Sequence, residues 1–321
     1  MSVNDEANAA GPAVLCFPLP ELMADLRAMG CTVIPWPRTE EEHRELLERA
    51  EDVRAVVTIG SKELPEGFLD AAPNVGLVAC MGAGYENYDP AALRSRGIDL
   101  VNAAGLNADD VADLGFGLLL AAYRNIVASH ASVLSGAWRP AAGAPTGVRR
   151  LRGRRLGVLG MGAIGKAMAM RGAAFGMDVR WWGPRPKDSP WQRMETPMEL
   201  AEWADALAVC CRPTAENENM VNAEMLDALG PQGVVVNVAR GSLIDEDELI
   251  VALKAGRVGA AGLDVFKEEP TDHRKWQDVP HVTLHPHNGG GTVDALADGR
   301  ASVVESVRKH LAGEPLTELL N

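Results

Sequence analysis

Leu156-Gly157-Val158-Leu159-Gly160-Met161-Gly162-Ala163-Ile164-Gly165 is the stretch on which the fold reading turns. A short apolar run enters G-x-G-x-x-G, and a helix-like stretch over 163–174 follows. Each glycine has its own reason. Gly160 allows a tight turn, Gly162 lets the backbone approach a pyrophosphate, and Gly165 lets the helix pack closely on the sheet. The first helical residues, Ala163 and Ile164 among them, carry N–H groups with no acceptor inside the helix, and these suit phosphate oxygens. Alone, the pattern also describes a glycine-rich β/α turn without a ligand. The strand before it and the helix after it make it a dinucleotide site.

The next strand reads Val179-Arg180-Trp181-Trp182 and ends at Gly183. A cofactor with free ribose hydroxyls calls for a carboxylate at that end. Asp178 stands at the opposite end and reads as a turn residue, whereas Arg185 and Lys187 follow Gly183. Absence of a carboxylate removes repulsion of a 2′-phosphate, and a guanidinium grips such a phosphate with paired hydrogen bonds. The expected cofactor is therefore NADPH in preference to NADH. The competing reading makes Arg185 and Lys187 a solvated loop.

Outward from the glycine loop, β-like and helix-like stretches alternate on both sides. Before it, strands are expected over 13–17, 32–34, 55–59 and 75–79, with helices over 21–29 and 40–49. One long helix is expected over 109–135, with Asn107 as its N-cap. Residues 137–154, rich in Gly, Pro, Ala and Arg, read as a boundary or arm. After it come strands over 155–159, 179–182, 206–210, 234–238, 260–263 and 282–284, and a last helix over 293–311. This rhythm predicts an α/β protein of two doubly wound, Rossmann-like domains.

The chain has 321 residues, 47% hydrophobic and 23% charged, enough for about two packed domains. The formal net charge is −13, which disfavours nucleic acid as a partner. The arginines at 149, 150, 152, 154 and 155 have no interleaved aromatics and read as a solvated linker. No apolar run approaches a membrane span, and residues 1–11 lack the pattern of a signal peptide. Five cysteines without a C-x-x-C spacing read as reduced core thiols of a cytoplasmic protein, with no metal site expected.

Further motifs follow in order: Val238-Ala239-Arg240-Gly241-Ser242-Leu243-Ile244-Asp245, then Gly262-Leu263-Asp264-Val265-Phe266, Glu268-Glu269-Pro270 and Leu284-His285-Pro286-His287-Asn288-Gly289. Together with the Gly160 loop, they resemble the D-isomer-specific 2-hydroxyacid dehydrogenases over nearly the whole chain. The resemblance implies an active-site cleft between the two domains, with an inserted dinucleotide-binding domain at 104–291 and a discontinuous substrate-binding domain, 1–103 plus 292–321. The resemblance implies that Arg240 would bind the substrate carboxylate and polarise the keto oxygen. His287 would donate the proton, and Glu269, with Glu268 as its rival, would hold the imidazole. Met81-Gly82-Ala83-Gly84 resembles the family's substrate loop, and Asp264 matches an acidic position near the nicotinamide. The chemistry is coherent: reduction of a 2-oxo acid needs a hydride, a proton and charge neutralisation together. Histidine titrates nearest working pH, and arginine matches a planar carboxylate.

Three places depart from the family's pattern or leave two readings. Gly289-Gly290-Gly291-Thr292 replaces a small residue followed by Ser or Thr. Arg212 stands where the family has an apolar, proline-containing turn, and reads either as a second 2′-phosphate ligand or as a surface arginine. Trp138, in Ala137-Trp138-Arg139-Pro140, reads either as a residue reaching a partner subunit's active site, as in the NADPH-linked glyoxylate/hydroxypyruvate reductases, or as packing of the arm. His273, His281 and His285 read as structural. The expected function is reduction of glyoxylate or hydroxypyruvate to a D-2-hydroxy acid by a homodimer. The alternatives are a 2-ketogluconate or broad 2-oxo acid reductase and, in another class, a dinucleotide-sensing scaffold like the related corepressors.

Overall fold

The computed structural model describes residues 11–138 and 148–321. Arg139 and Pro140 of the tryptophan motif, and most of residues 1–11, lie outside the described residues. The chain divides into two compact units, Met1–Asn107 with Val293–Asn321, and Ala108–Thr292. The first boundary falls where a helix begins at Ala108, so the turn at 104–107 belongs to the first unit.

In the first unit the order is β1 (Ala13–Cys16), α1 (Pro20–Ala28), β2 (Thr32–Pro35), α2 (Glu40–Glu48), β3 (Val53–Thr58), α3 (Phe68–Ala71), β4 (Leu77–Cys80), α4 (Pro90–Ser95) and β5 (Asp99–Asn102). The strands form one parallel sheet in the order β2-β1-β3-β4-β5. Successive side chains of a strand leave on opposite faces. Thus Val14 and Cys16 pack with Leu22 and Leu26 of α1, while Leu15 packs with Val56, Val78 and Leu100 on the other side. The last helix returns to this unit and sets Val303 and Val307 among the Val14 cluster. Burial of a side chain such as Leu15 stabilises the unit by about 1.5–3 kcal/mol.

The second unit opens with α5 (Ala108–Arg124) and α6 (Ile126–Leu134). The series continues with β6 (Arg155–Leu159), α7 (Ala163–Ala174), β7 (Asp178–Trp182), β8 (Gln192–Arg193), α8 (Pro197–Trp203) and β9 (Ala206–Val209). It closes with α9 (Ala223–Leu229), β10 (Val234–Asn237), α10 (Glu246–Ala255), β11 (Ala260–Leu263), α11 (His273–Trp276) and β12 (Val282–Leu284), before α12 (Val293–Ala312). Its parallel sheet runs β12-β11-β10-β9-β6-β7-β8. From β6 the chain winds outward through β7 and β8, then crosses back to β9 on the other side of β6. The strand order reverses there, and in such sheets a ligand binds at the carboxyl ends of the strands beside that point. Strands β6, β9, β10 and β11 are buried nearly throughout, as a parallel sheet covered on both faces requires.

Three expectations are corrected. The long helix over 109–135 is two helices, bent by 64° at Asn125. Asn125 has φ 52°, a left-handed conformation that asparagine tolerates better than other side chains, and the apolar pattern runs through it without a signal. Asn107 directly precedes α5, where an N-cap stands, but its Oδ1 is buried without a partner among the described residues, so the side chain makes no capping bond. Arg155 is not part of a solvated linker. It opens β6, and its backbone N–H and guanidinium donate to the Asp205 carboxylate at 2.9–3.3 Å. Burial alone would raise the Asp205 carboxyl, but the hydrogen bonds and charge of Arg155 outweigh it and hold the group below the usual carboxylate range. Sequence periodicity also passed over β5, α3, α4 and the two-residue β8.

Candidate active site

The glycine loop is built from the backbone. Gly160 has φ 93°, and its N–H donates to the Trp182 carbonyl at 2.7 Å, which ties the loop to the end of β7. A Cβ at Gly160 would meet the Cys211 Cα at 2.5 Å, and one at Gly165 would meet the Gly160 carbonyl oxygen at 1.9 Å. Nothing lies within 4 Å of where a Cβ of Gly162 would stand. The two outer glycines thus serve the turn and the helix packing, and the middle one faces open space. Helix α7 begins at Ala163, so the early N–H groups of Ala163, Ile164 and Gly165 sit at the positive end of a helix. The residues present fit a pyrophosphate.

At the end of β7, Gly183 is buried and carries no carboxylate, whereas Asp178 is exposed at the strand's start. Arg185 and Lys187 are exposed in the following loop, and Arg212 is exposed after β9. The cation fixed at this strand end is one the sequence reading missed. Arg193 of β8 donates through Nε and Nη2 to the Gly183 carbonyl at 3.1 and 2.8 Å.

At the end of β10, Asn237 shapes the turn that carries Arg240. Its Oδ1 accepts from Ala239 N–H at 3.0 Å, and its Nδ2 donates to the Arg240 carbonyl at 2.8 Å. Arg240 is half-buried, and its Nη1 donates to the Ala239 carbonyl at 2.7 Å. A Cβ at Gly241 would lie 2.0 Å from the Phe266 carbonyl carbon, so this turn rests directly on the backbone that leads to Glu269. Asn237 was absent from the expected set; its only signal was an asparagine closing a Val-Val-Val strand.

Glu269 and His287 come together. Phe266 N–H donates to Glu269 Oε1 at 2.9 Å, and Glu269 Oε2 lies 2.5 Å from His287 Nδ1. Glu269, not its neighbour Glu268, meets the imidazole. His287 has φ 48°, and the clamp that holds its loop is Asp264. This side chain, 3% exposed, accepts from the N–H groups of Asn288 and Gly289, each at 3.0 Å, and lies 2.6 Å from His285 Nδ1. Asp264 thus holds the His287 loop through both of its carboxylate oxygens. His285 has a structural partner in Asp264, and a Cβ at Gly289 would press on the same carboxylate at 2.7 Å.

The loop at 81–84 belongs to the first unit. Met81 N–H donates to the Thr58 carbonyl at 2.8 Å, the Gly82 carbonyl accepts from Ala103 N–H at 3.2 Å, and the Ala83 carbonyl accepts from Asn102 Nδ2 at 2.7 Å. Gly84 is packed on Gly60, where a Cβ would meet its carbonyl oxygen at 2.0 Å. The loop is thus defined by backbone contacts. Trp138 is 70% exposed, and its N–H donates to the Ser132 carbonyl at 3.0 Å.

Residues 116–289 match the model of the D-isomer specific 2-hydroxyacid dehydrogenase, NAD binding domain. The chain is 36% identical over 280 residues to a hydroxyphenylpyruvate reductase of Plectranthus scutellarioides, covering 87% of this chain and 89% of that one. It is 32% identical over 300 residues to a 2-ketogluconate reductase of Gluconobacter oxydans, covering 93% and 95%. Its structure superposes with a TM-score of 0.85 on an NADPH-dependent glyoxylate/hydroxypyruvate reductase of Sinorhizobium meliloti in complex with NADP and malonate, at 28% identity and 97% coverage of each chain. The chain belongs to the D-isomer-specific 2-hydroxyacid dehydrogenase family. It is an oxidoreductase of that type, with a doubly wound NAD-binding domain.

Proposed function

We propose that the protein reduces a small 2-oxo acid with NADPH, either glyoxylate to its achiral 2-hydroxy acid or hydroxypyruvate to the D-2-hydroxy acid. The observation that carries this reading is the 2.5 Å approach of His287 Nδ1 to Glu269 Oε2. With Nδ1 engaged by a carboxylate, the ring orientation is set, which leaves Nε2–H as the proton to give. When bound, the nicotinamide supplies the hydride. His287 passes its Nε2 proton to the keto oxygen, and Nδ1 keeps its own hydrogen, donated to Glu269, throughout. Arg240 pairs with the substrate carboxylate and draws electron density toward the keto oxygen. The backbone amides of Gly82, Ala83 and Gly84 belong to the same proposal as carboxylate binders, whereas the Met81 N–H, expected among them, is taken by the Thr58 carbonyl. Gly160, Gly162, Ala163, Ile164 and Gly165 would hold the pyrophosphate. NADPH is supported by the missing carboxylate at Gly183 and by Arg185, with Arg212 as an additional cation after β9.

Absorbance loss at the nicotinamide band tests this, with NADPH or NADH against glyoxylate, hydroxypyruvate, pyruvate, 2-ketogluconate and hydroxyphenylpyruvate. Rapid NADPH oxidation with glyoxylate and hydroxypyruvate is expected. Faster turnover of 2-ketogluconate or hydroxyphenylpyruvate would move the substrate to that of the relatives, and better use of NADH would end the NADPH reading.

A homodimer and a cytoplasmic setting complete the proposal. Helix α6 has no buried residue, and Ile126, Val127, Val133 and Leu134 are each more than half exposed. An apolar helix left in water is costly, and a second copy of the chain would cover it. The five cysteines are free thiols, three of them buried, as a reducing compartment allows.

A further inference from the structure

The second sheet ends in an edge strand that places an arginine beside the phosphate loop. β8 pairs with β7 so that Arg193 lies opposite Trp181. Its guanidinium is held on two sides, by the paired hydrogen bonds to the Gly183 carbonyl and by the Trp181 ring, whose centroid lies 6.0 Å away. Gly183 directly follows Trp182, whose carbonyl accepts from the Gly160 N–H. One residue therefore separates the phosphate loop's anchor from the carbonyl that fixes Arg193.

We propose that Arg193 selects NADPH by binding the 2′-phosphate of its adenosine ribose. The inference rests on the NADPH reading above and names the residue that carries it. In this strand order the adenosine ribose lies at the carboxyl end of the second strand, which here is β7. Two of the five N–H donors of Arg193 serve Gly183, which leaves three in a planar fork suited to phosphate oxygens. Because the side chain is already held, little rotamer freedom is lost on binding. Arg185 and Lys187, exposed in the next loop, have no such support. Gly183 completes the arrangement, since a Cβ there would stand 3.2 Å from Trp181 Cζ3 and crowd the indole beneath the guanidinium.

The test is calorimetric titration of the whole protein with adenosine 2′,5′-bisphosphate and with adenosine 5′-monophosphate, alongside KM values for NADPH and NADH. Wild type is expected to bind the bisphosphate at least about tenfold more tightly, as expected for charge-assisted hydrogen bonds. Arg193→Gln is expected to erase most of that margin and to raise the NADPH:NADH ratio of KM values by about tenfold or more. Arg193→Lys, which keeps the charge but not the fork, is expected to recover part of it and carries the test should Arg193→Gln not fold. Wild type that does not distinguish the two nucleotides would end the NADPH reading and this inference with it. Wild type that distinguishes them, with Arg193→Gln keeping the margin or weakening both nucleotides in proportion, would leave NADPH standing and reduce Arg193 to a strut for Gly183.

Discussion

Replacing His287 by Asn removes the donated proton while retaining a polar side chain of similar reach. The expected loss in kcat for 2-oxo acid reduction is about 10²–10⁴-fold, the usual weight of a general acid. Glu269→Gln keeps a hydrogen-bond acceptor beside Nδ1 but removes the negative charge and one carboxylate oxygen. It should lower kcat by less than His287→Asn, whereas Glu268→Gln, one residue away, should differ little from wild type. Equal losses at both glutamates, measured under saturating substrate, would contradict the pairing with Glu269. Arg240→Lys trades a planar fork for a point charge, so KM for the acid should rise by about tenfold or more. At this scale the candidate chemistry was legible early, because arginine, glutamate and histidine stand in short motifs with neighbours that demand special backbone. The jobs of Asp264 and Asn237 were not. Each acts through hydrogen bonds to the backbone, and Asp264 reaches across to a loop that follows a different strand.

The break between α5 and α6 shows what apolar periodicity leaves out. It reports which face of a helix is buried, and it carries no record of a single left-handed residue. Asn125→Val should therefore destabilise the protein by about 1–2 kcal/mol and Asn125→Gly by much less, as read from denaturant midpoints. No difference between them would mean that the bend persists for another reason. Helix α12 offers a second element-scale outcome. His310 packs where a Cβ on Gly76 would lie 2.6 Å from its Cε1. Burial lowers its pKa, against the smaller opposing effects of Asp99 and a backbone hydrogen bond at Arg54. The unfolded chain thus takes up this proton more readily than the folded one. Its contribution to stability is present above the ordinary histidine pKa of about 6.5 and is lost as pH falls from that value through the lower pKa of the folded state. Thermal midpoints at pH 8 and pH 5.5 should drop more for wild type than for His310→Gln. Equal drops would remove His310 from the account.

At the scale of the whole molecule, the exposed apolar face of α6 predicts that light scattering will give twice the mass of one chain. Val133→Glu combined with Leu134→Glu should give a single chain mass, because burying two carboxylates in an apolar contact is strongly unfavourable. A monomeric wild type at micromolar concentration would overturn the homodimer. The sequence by itself determined the α/β class, the glycine loop and the motifs of Arg240, Glu269 and His287. These depend on local backbone demands and on short-range periodicity, both of which are written in neighbouring residues. Tertiary structure alone decided that Asp264 clamps the His287 loop and that Arg193 stands at the end of β7. A parallel sheet gathers the ends of strands that are far apart in the chain, so hydrogen-bond partners there follow from strand order and register, which residue spacing does not encode.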